Sequence, residues 1–213
     1  MTRRRGKGRA LGLGALVVAM STAVLAPAIP AHAGATGGTT TVVGTMRWWN
    51  GTQRSAAFGN GDNLAPAYGQ VITPVSDSTL DQFVFLVKLD PSVLVRGFVY
   101  RWNAGTPALS GAPLWVGKAR HTTSGTGYEK LHLDTGGLAL TGGKRYVVFL
   151  STLGIPQPDS PTAGEFAVPS VNHRDEYSGG GFVYSYSKVR SEWHTVAWGR
   201  FSWDLCFRAV LTS

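Results

Sequence analysis

The chain has 213 residues, 20 of them Lys or Arg against 12 Asp or Glu, and its pI near 9.9 suggests an anionic partner such as nucleic acid. Five of those cations, Arg3, Arg4, Arg5, Lys7 and Arg9, crowd the N-terminus, and beyond residue 33 only 15 basic groups face 12 acidic ones. These are scattered, without the basic run of a nucleic-acid binder, so nucleic acid is not an expected partner. A single cysteine, Cys206, excludes an intramolecular disulfide framework.

Residues 1–33 begin basic, run apolar from about Ala10 to Leu25, and end in the small-residue sequence Ala31-His32-Ala33. That is the layout of a secretory signal peptide with cleavage after Ala33, and it predicts export. Ser21, Thr22 and Pro27 interrupt the apolar stretch, which is too short for a bilayer span, so no membrane span is expected after cleavage. Gly6 and Lys7 stand where a twin-arginine signal would carry apolar residues, which favours general secretion. Residues 34–47 read as a flexible mature N-terminus, with a weak strand signal in TTTVVGTMRWW, and 48–213 as a single domain.

From there short runs rich in Val, Phe, Tyr and Trp recur between Gly, Pro, Asn, Asp and Ser. Strands are predicted near 67–73, 79–89, 93–102, 112–119, 128–134, 145–152, 181–187 and 203–212. Eight or nine strands without intervening helices imply antiparallel pairing, since parallel neighbours need long crossovers. The predicted fold is all-β: a two-sheet antiparallel sandwich of jelly-roll type. DPS at 90–92 and NAGTPALSG at 103–111 read as turns. The longest connection, about 153–181, carries Pro156, Pro158, Pro161 and Pro169, which argue against a central strand there.

DTGGLALTGGKRYVVFLS, residues 134–151, looks at first like a phosphate loop. A Walker pattern would place its first glycine at Leu138 and a hydroxyl at Arg145, and no helix follows. Leu140, Gly143 and Tyr146 instead have the L-x-x-G-x-x-Y spacing of a tyrosine corner, in which a glycine turn lets a phenol bond back to upstream backbone. The apolar run after Tyr146 predicts a central strand covered on both sides.

The ordered set WNGT, AYGQVIT, TLDQFVFLV, FVYRWNAGTPAL, DTGGLALTGGKRYVVFLS, GGGFVY and DLCFRAVL resembles a group of small bacterial exported β-sandwich proteins, many of which end in a PEP-CTERM sorting tail. The resemblance spans most of residues 48–211. It implies the fold and no catalytic residues. The sorting tail is absent from this sequence, so the resemblance implies a released or loosely cell-associated protein.

No chemistry-bearing motif stands out. His121, His132, His173 and His194 lack metal-ligand spacing, and no serine sits in G-x-S-x-G. Asp81, Glu129, Asp134, Glu165, Asp175, Glu176, Glu192 and Asp204 form no evident catalytic pair, and Cys206 lies in a strand-like run without a nearby His. No cofactor is expected; the alternative is a structural calcium at GNGDN, where Asn60, Asp62 and Asn63 offer oxygen donors. The seven tryptophans are the remaining signal, and Trp102, Trp193 and Trp198 are the candidate sugar-stacking residues because they flank turns. The expectation is a secreted, monomeric, non-catalytic binding module for a glycan or other cell-envelope component. The alternatives are an extracellular protein–protein interaction module and an exported hydrolase.

Overall fold

The run Tyr146–Ser151 holds β-branched and aromatic residues at consecutive positions, a composition suited to a strand covered on both faces. In the computed structural model it is a strand buried at all six positions and paired along both edges. The structure describes residues 38–51, 55–89, 93–122, 127–157, 163–168 and 175–213. The leader read over 1–33, the turn at 90–92, His173, Pro158, Pro161 and Pro169 lie outside those residues.

Thirteen strands are described: β1 Thr40–Gly44, β2 Ser55–Gly59, β3 Ala67–Ile72, β4 Ser78–Lys88, β5 Leu94–Asn103, β6 Ala108–Val116, β7 Arg120–His121, β8 Glu129–Leu140, β9 Tyr146–Ser151, β10 Ala163–Ala167, β11 Phe182–Ser185, β12 Gly199–Arg200 and β13 Phe207–Thr212. They form two sheets that pack face to face. The first runs β1-β13-β4-β10-β2 with β8 on the free edge of β4; the second runs β12-β11-β3-β9-β5-β6 with β7 on β5. All strand pairs are antiparallel. Taken alone, the orders β1-β13-β4-β8 and β3-β9-β5-β6 are the two sheets of a jelly roll. Nine of the strands fall on the runs expected from sequence. The other four, β2, β7, β10 and β12, are short pieces fixed by their partners.

Alternation sorts each strand between two apolar layers. On β9, Tyr146, Val148 and Leu150 join Phe83, Phe85, Phe166 and Phe207 between the sheets. Val147 and Phe149 point the other way, to a second cluster with Phe98, Tyr100, Trp102, Trp193 and Trp198. The second sheet is therefore apolar on its outer face as well, and the 3-10 turn Arg190–His194 with its flanks covers it.

Three expectations are corrected. Within 34–47, Thr40–Gly44 is not flexible, because all five residues pair with β13. The long connection contains β10, placed between β2 and β4, because all four prolines fall outside Ala163–Ala167. The strand expected near 128–134 does not stop at Asp134: β8 continues to Leu140, and Gly136 and Gly137, at φ +70° and +82°, absorb a bulge opposite β4. The turn comes later, at Gly143 (φ +69°), whose N–H donates to the Pro74 carbonyl at 2.8 Å. Tyr146 is buried and its phenol oxygen accepts the Thr141 N–H at 2.8 Å, while Leu140 is buried beside it in the inter-sheet core.

Candidate functional site

The three candidate tryptophans belong to the core. Trp102, Trp193 and Trp198 are 8%, 1% and 3% exposed, and their rings pack edge-on against one another and against Phe149. The Trp198 Nε1–H donates to the Trp193 carbonyl at 3.1 Å, closing the cover over the outer face. The notion that these rings form an open stacking floor is corrected: an apolar outer face needs a lid, and they are its material. The more exposed aromatics sit at the β11–β12 edge. There Tyr184, Phe201 and Trp203 are half-buried with successive ring centroids 5.0 and 4.1 Å apart, and Tyr186 is exposed.

Clefts gather where β5 ends and β9 begins. One, of about 430 Å³, lies between the Arg145 end of β9, the β12 region and the loop 175–181. A second, of about 520 Å³, lies between the end of β5 and the turn before β9. The two meet at Trp102 and Arg145, which line both. Arg145 and Arg200 project along the first, Arg101, Lys144 and Arg145 along the second, and all four are exposed. The one acidic side chain lining either cleft is Asp175.

The fold explains this concentration. Arg101 stands on β5 opposite Tyr146 and Ser110, at the last turn of the pleat before solvent. Lys144 and Arg145 occupy the tight turn set by Gly143, and Arg200 lies on the edge strand opposite Val183. Among the described residues the ion pairs are Lys88–Glu165 and Arg120–Asp134, and none of the four takes part in one. Sequence reading registered Lys144-Arg145 but treated it as architecture. The missing information is topological, since β5, β9 and β12 bring Arg101 and Arg200 alongside only in the folded sheet.

One wall of the first cleft is held by a buried carboxylate. Asp204 is fully buried, and its Oδ2 accepts the N–H groups of Glu176 (3.0 Å) and Tyr177 (2.8 Å). Its Oδ1 accepts Gln70 Nε2–H at 2.7 Å, and Gln70 Oε1 in turn accepts the Leu205 N–H at 3.0 Å. Burial pushes the Asp204 carboxyl up to about 6, against the pull of the Tyr177 and Gln70 donors; the nearby Asp175 charge adds to the rise.

The other candidates are accounted for in place. Cys206 is buried, and burial pushes its thiol up to about 12. At the GNGDN loop the Lys188 ammonium donates to the carbonyls of Gly61 (2.7 Å) and Leu64 (3.0 Å), and Asn60 Oδ1 accepts the Thr152 hydroxyl. Among the described residues no group of three or more His, Cys, Asp or Glu could hold a metal ion, and no helix is long and apolar enough to cross a membrane. His121 and His194 are exposed. No protein-family model, curated protein or solved structure matches the chain.

Proposed function

We propose that this protein is an exported binding module for an acidic glycan of the cell envelope or its surroundings. The observation that carries the reading is the set of four exposed cations without ion-pair partners among the described residues, Arg101, Lys144, Arg145 and Arg200, along two clefts that meet at Trp102 and Arg145. Guanidinium groups match the planar geometry of carboxylates and phosphates, and three of the four are arginines. The apolar part of the surface is supplied by Phe201 in the first cleft, where the C–H face of a sugar finds contact area. The leader expected at residues 1–33 supports an extracellular ligand.

The test is retention on immobilised polygalacturonate, a uronic acid polymer, for the wild type and for the double variant Arg145→Ala/Arg200→Ala. Retention is expected to fall about tenfold in the variant, the scale of two modest surface charge contacts. Undiminished retention of the variant would move the site elsewhere. Tighter capture of single-stranded DNA than of any acidic polysaccharide would replace the glycan as ligand.

A further inference from the structure

We propose that Asp204 is an acid-sensitive latch that holds the first half of the loop 175–181 beside the basic cleft and releases it when the carboxylate takes up a proton. This deepens the acidic-glycan reading, since the same loop contributes Asp175, Ser178, Gly180 and Gly181 to the first cleft. The latch itself stands on hydrogen-bond geometry alone.

Every polar neighbour bonded to the carboxylate is a donor. Oδ2 faces two loop N–H groups and Oδ1 faces the Gln70 amide. Both lone pairs of Oδ2 are taken by the loop N–H groups, so a proton there must displace at least one of them, whereas Oδ1 keeps a second lone pair beside its bond to Gln70. At Oδ1 the proton becomes a fully buried donor that is expensive to satisfy. Gln70 could accept that proton only by turning its carbonyl away from the Leu205 N–H, and Gln70 and Leu205 are both fully buried, so neither can be rehydrated. At Oδ2 the break frees the N–H of Glu176 or Tyr177 and weakens the bond to the other, on a loop where Asp175 and Ser178 are exposed and water can replace the lost bond. The proton thus goes to the loop side.

Among the described residues the groups that act on Asp204 are few. From the loop, the Asp175 carboxylate and the Tyr177 phenol face it; β3 brings the neutral Gln70; its chain neighbours are Trp203 and Leu205. The carboxyl titrates near pH 6, within mildly acidic conditions. The other end of the loop keeps its own anchors: the Thr73 hydroxyl donates to the Gly179 carbonyl at 2.5 Å, and the Val71 N–H to the Gly181 carbonyl at 2.9 Å. The Tyr177 phenol oxygen accepts the Thr73 N–H at 3.0 Å and holds that ring, and Ser178, Gly180 and Gly181 stay with the anchored end, so release is confined to the backbone of residues 175–177, which brings Asp175 to the cleft.

The experiment is amide hydrogen exchange of the full chain at pH 7.5 and pH 5, corrected for intrinsic rates, with the β9 amides as an internal reference. In the wild type the Glu176 and Tyr177 amides are expected to lose at least about tenfold in protection at pH 5 while β9 stays protected. In Asp204→Asn, whose amide donor would face the same two N–H groups, they are expected to exchange fast at both pH values. Equal protection of Glu176 and Tyr177 at both pH values in the wild type would overturn the latch. Retention on polygalacturonate is expected to differ at least about threefold between pH 7.5 and pH 5 for the wild type and to be the same at both for the variant. Loss of loop protection with unchanged retention would overturn the coupling to the cleft. Absence of retention at either pH would sink the acidic-glycan reading and leave the exchange result to decide the latch.

Discussion

The backbone N–H of Trp102 donates to the carbonyl of Arg145 at 2.9 Å, so a buried indole and an exposed guanidinium are fixed side by side at the junction of the two clefts. The two side chains have opposite duties. Trp102 closes the outer core, and Arg145 faces the two clefts.

Mutation is expected to separate those duties. Trp102→Ala removes a ring packed on Trp198 and should destabilise the fold by about 3–5 kcal/mol in urea unfolding. Arg145→Ala should shift stability by no more than about 0.5 kcal/mol and still weaken retention on polygalacturonate. Loss of stability in the arginine variant, or none in the tryptophan variant, would reverse the assignment.

The pH dependence of stability has a sign set by Asp204. Its folded pKa, about 6, lies above the ordinary 3.8, so the native state takes up this proton first as pH falls. Stability from this group therefore rises as pH drops through about 6 and levels off below 3.8. Between pH 7.5 and pH 5 the gain is about 1 kcal/mol. Urea unfolding at the two pH values should show that increment for the wild type relative to Asp204→Asn, even as the loop amides lose protection. An identical pH response in the two proteins would show that Asp204 does not titrate in this range.

At the turn before β9, Tyr146→Phe leaves the Thr141 N–H without the phenol oxygen it donates to, and should cost about 1 kcal/mol. Gly143→Ala forces a side chain into φ +69° and should cost a similar amount. Because this turn also presents Lys144 and Arg145, both variants should weaken polymer retention more than their stability loss alone explains. Retention equal to wild type in both would show that the turn does not position the cations.

Cys206 should be chemically silent in the native protein. It is fully buried and its thiol is pushed up to about 12, so a thiol reagent at pH 8 finds neither access nor thiolate. Labelling should appear only on unfolding in urea. Rapid native labelling would mean that the Leu86–Ala167–Cys206 cluster opens.

Much of the architecture was legible because it rests on local pattern. The Tyr146–Ser151 run declared a doubly covered strand, and Leu140, Gly143 and Tyr146 carried their spacing in plain view. What escaped was non-local. Whether Gly136-Gly137 ends a strand or bulges it depends on the register of β4 opposite. Whether Trp193 and Trp198 lie open or closed depends on an outer face whose apolarity belongs to β3, β5 and β9. The alternation in Tyr184-Ser185-Tyr186 and Phe201-Ser202-Trp203 could have flagged the aromatic edge, since residues two apart share a face. The cation cluster had no comparable signal, because Arg101 and Arg200 meet Lys144-Arg145 only through strand order.

The most direct test of the acidic-glycan site keeps the polymer and changes only its charge. Binding isotherms should be measured for polygalacturonate and for the same polymer after methyl esterification, at rising salt. The acid form is expected to bind about tenfold or more tightly at low salt, with the gap closing as screening shortens the reach of the four cations. Equal affinity for the acid and its ester at low salt would contradict the account.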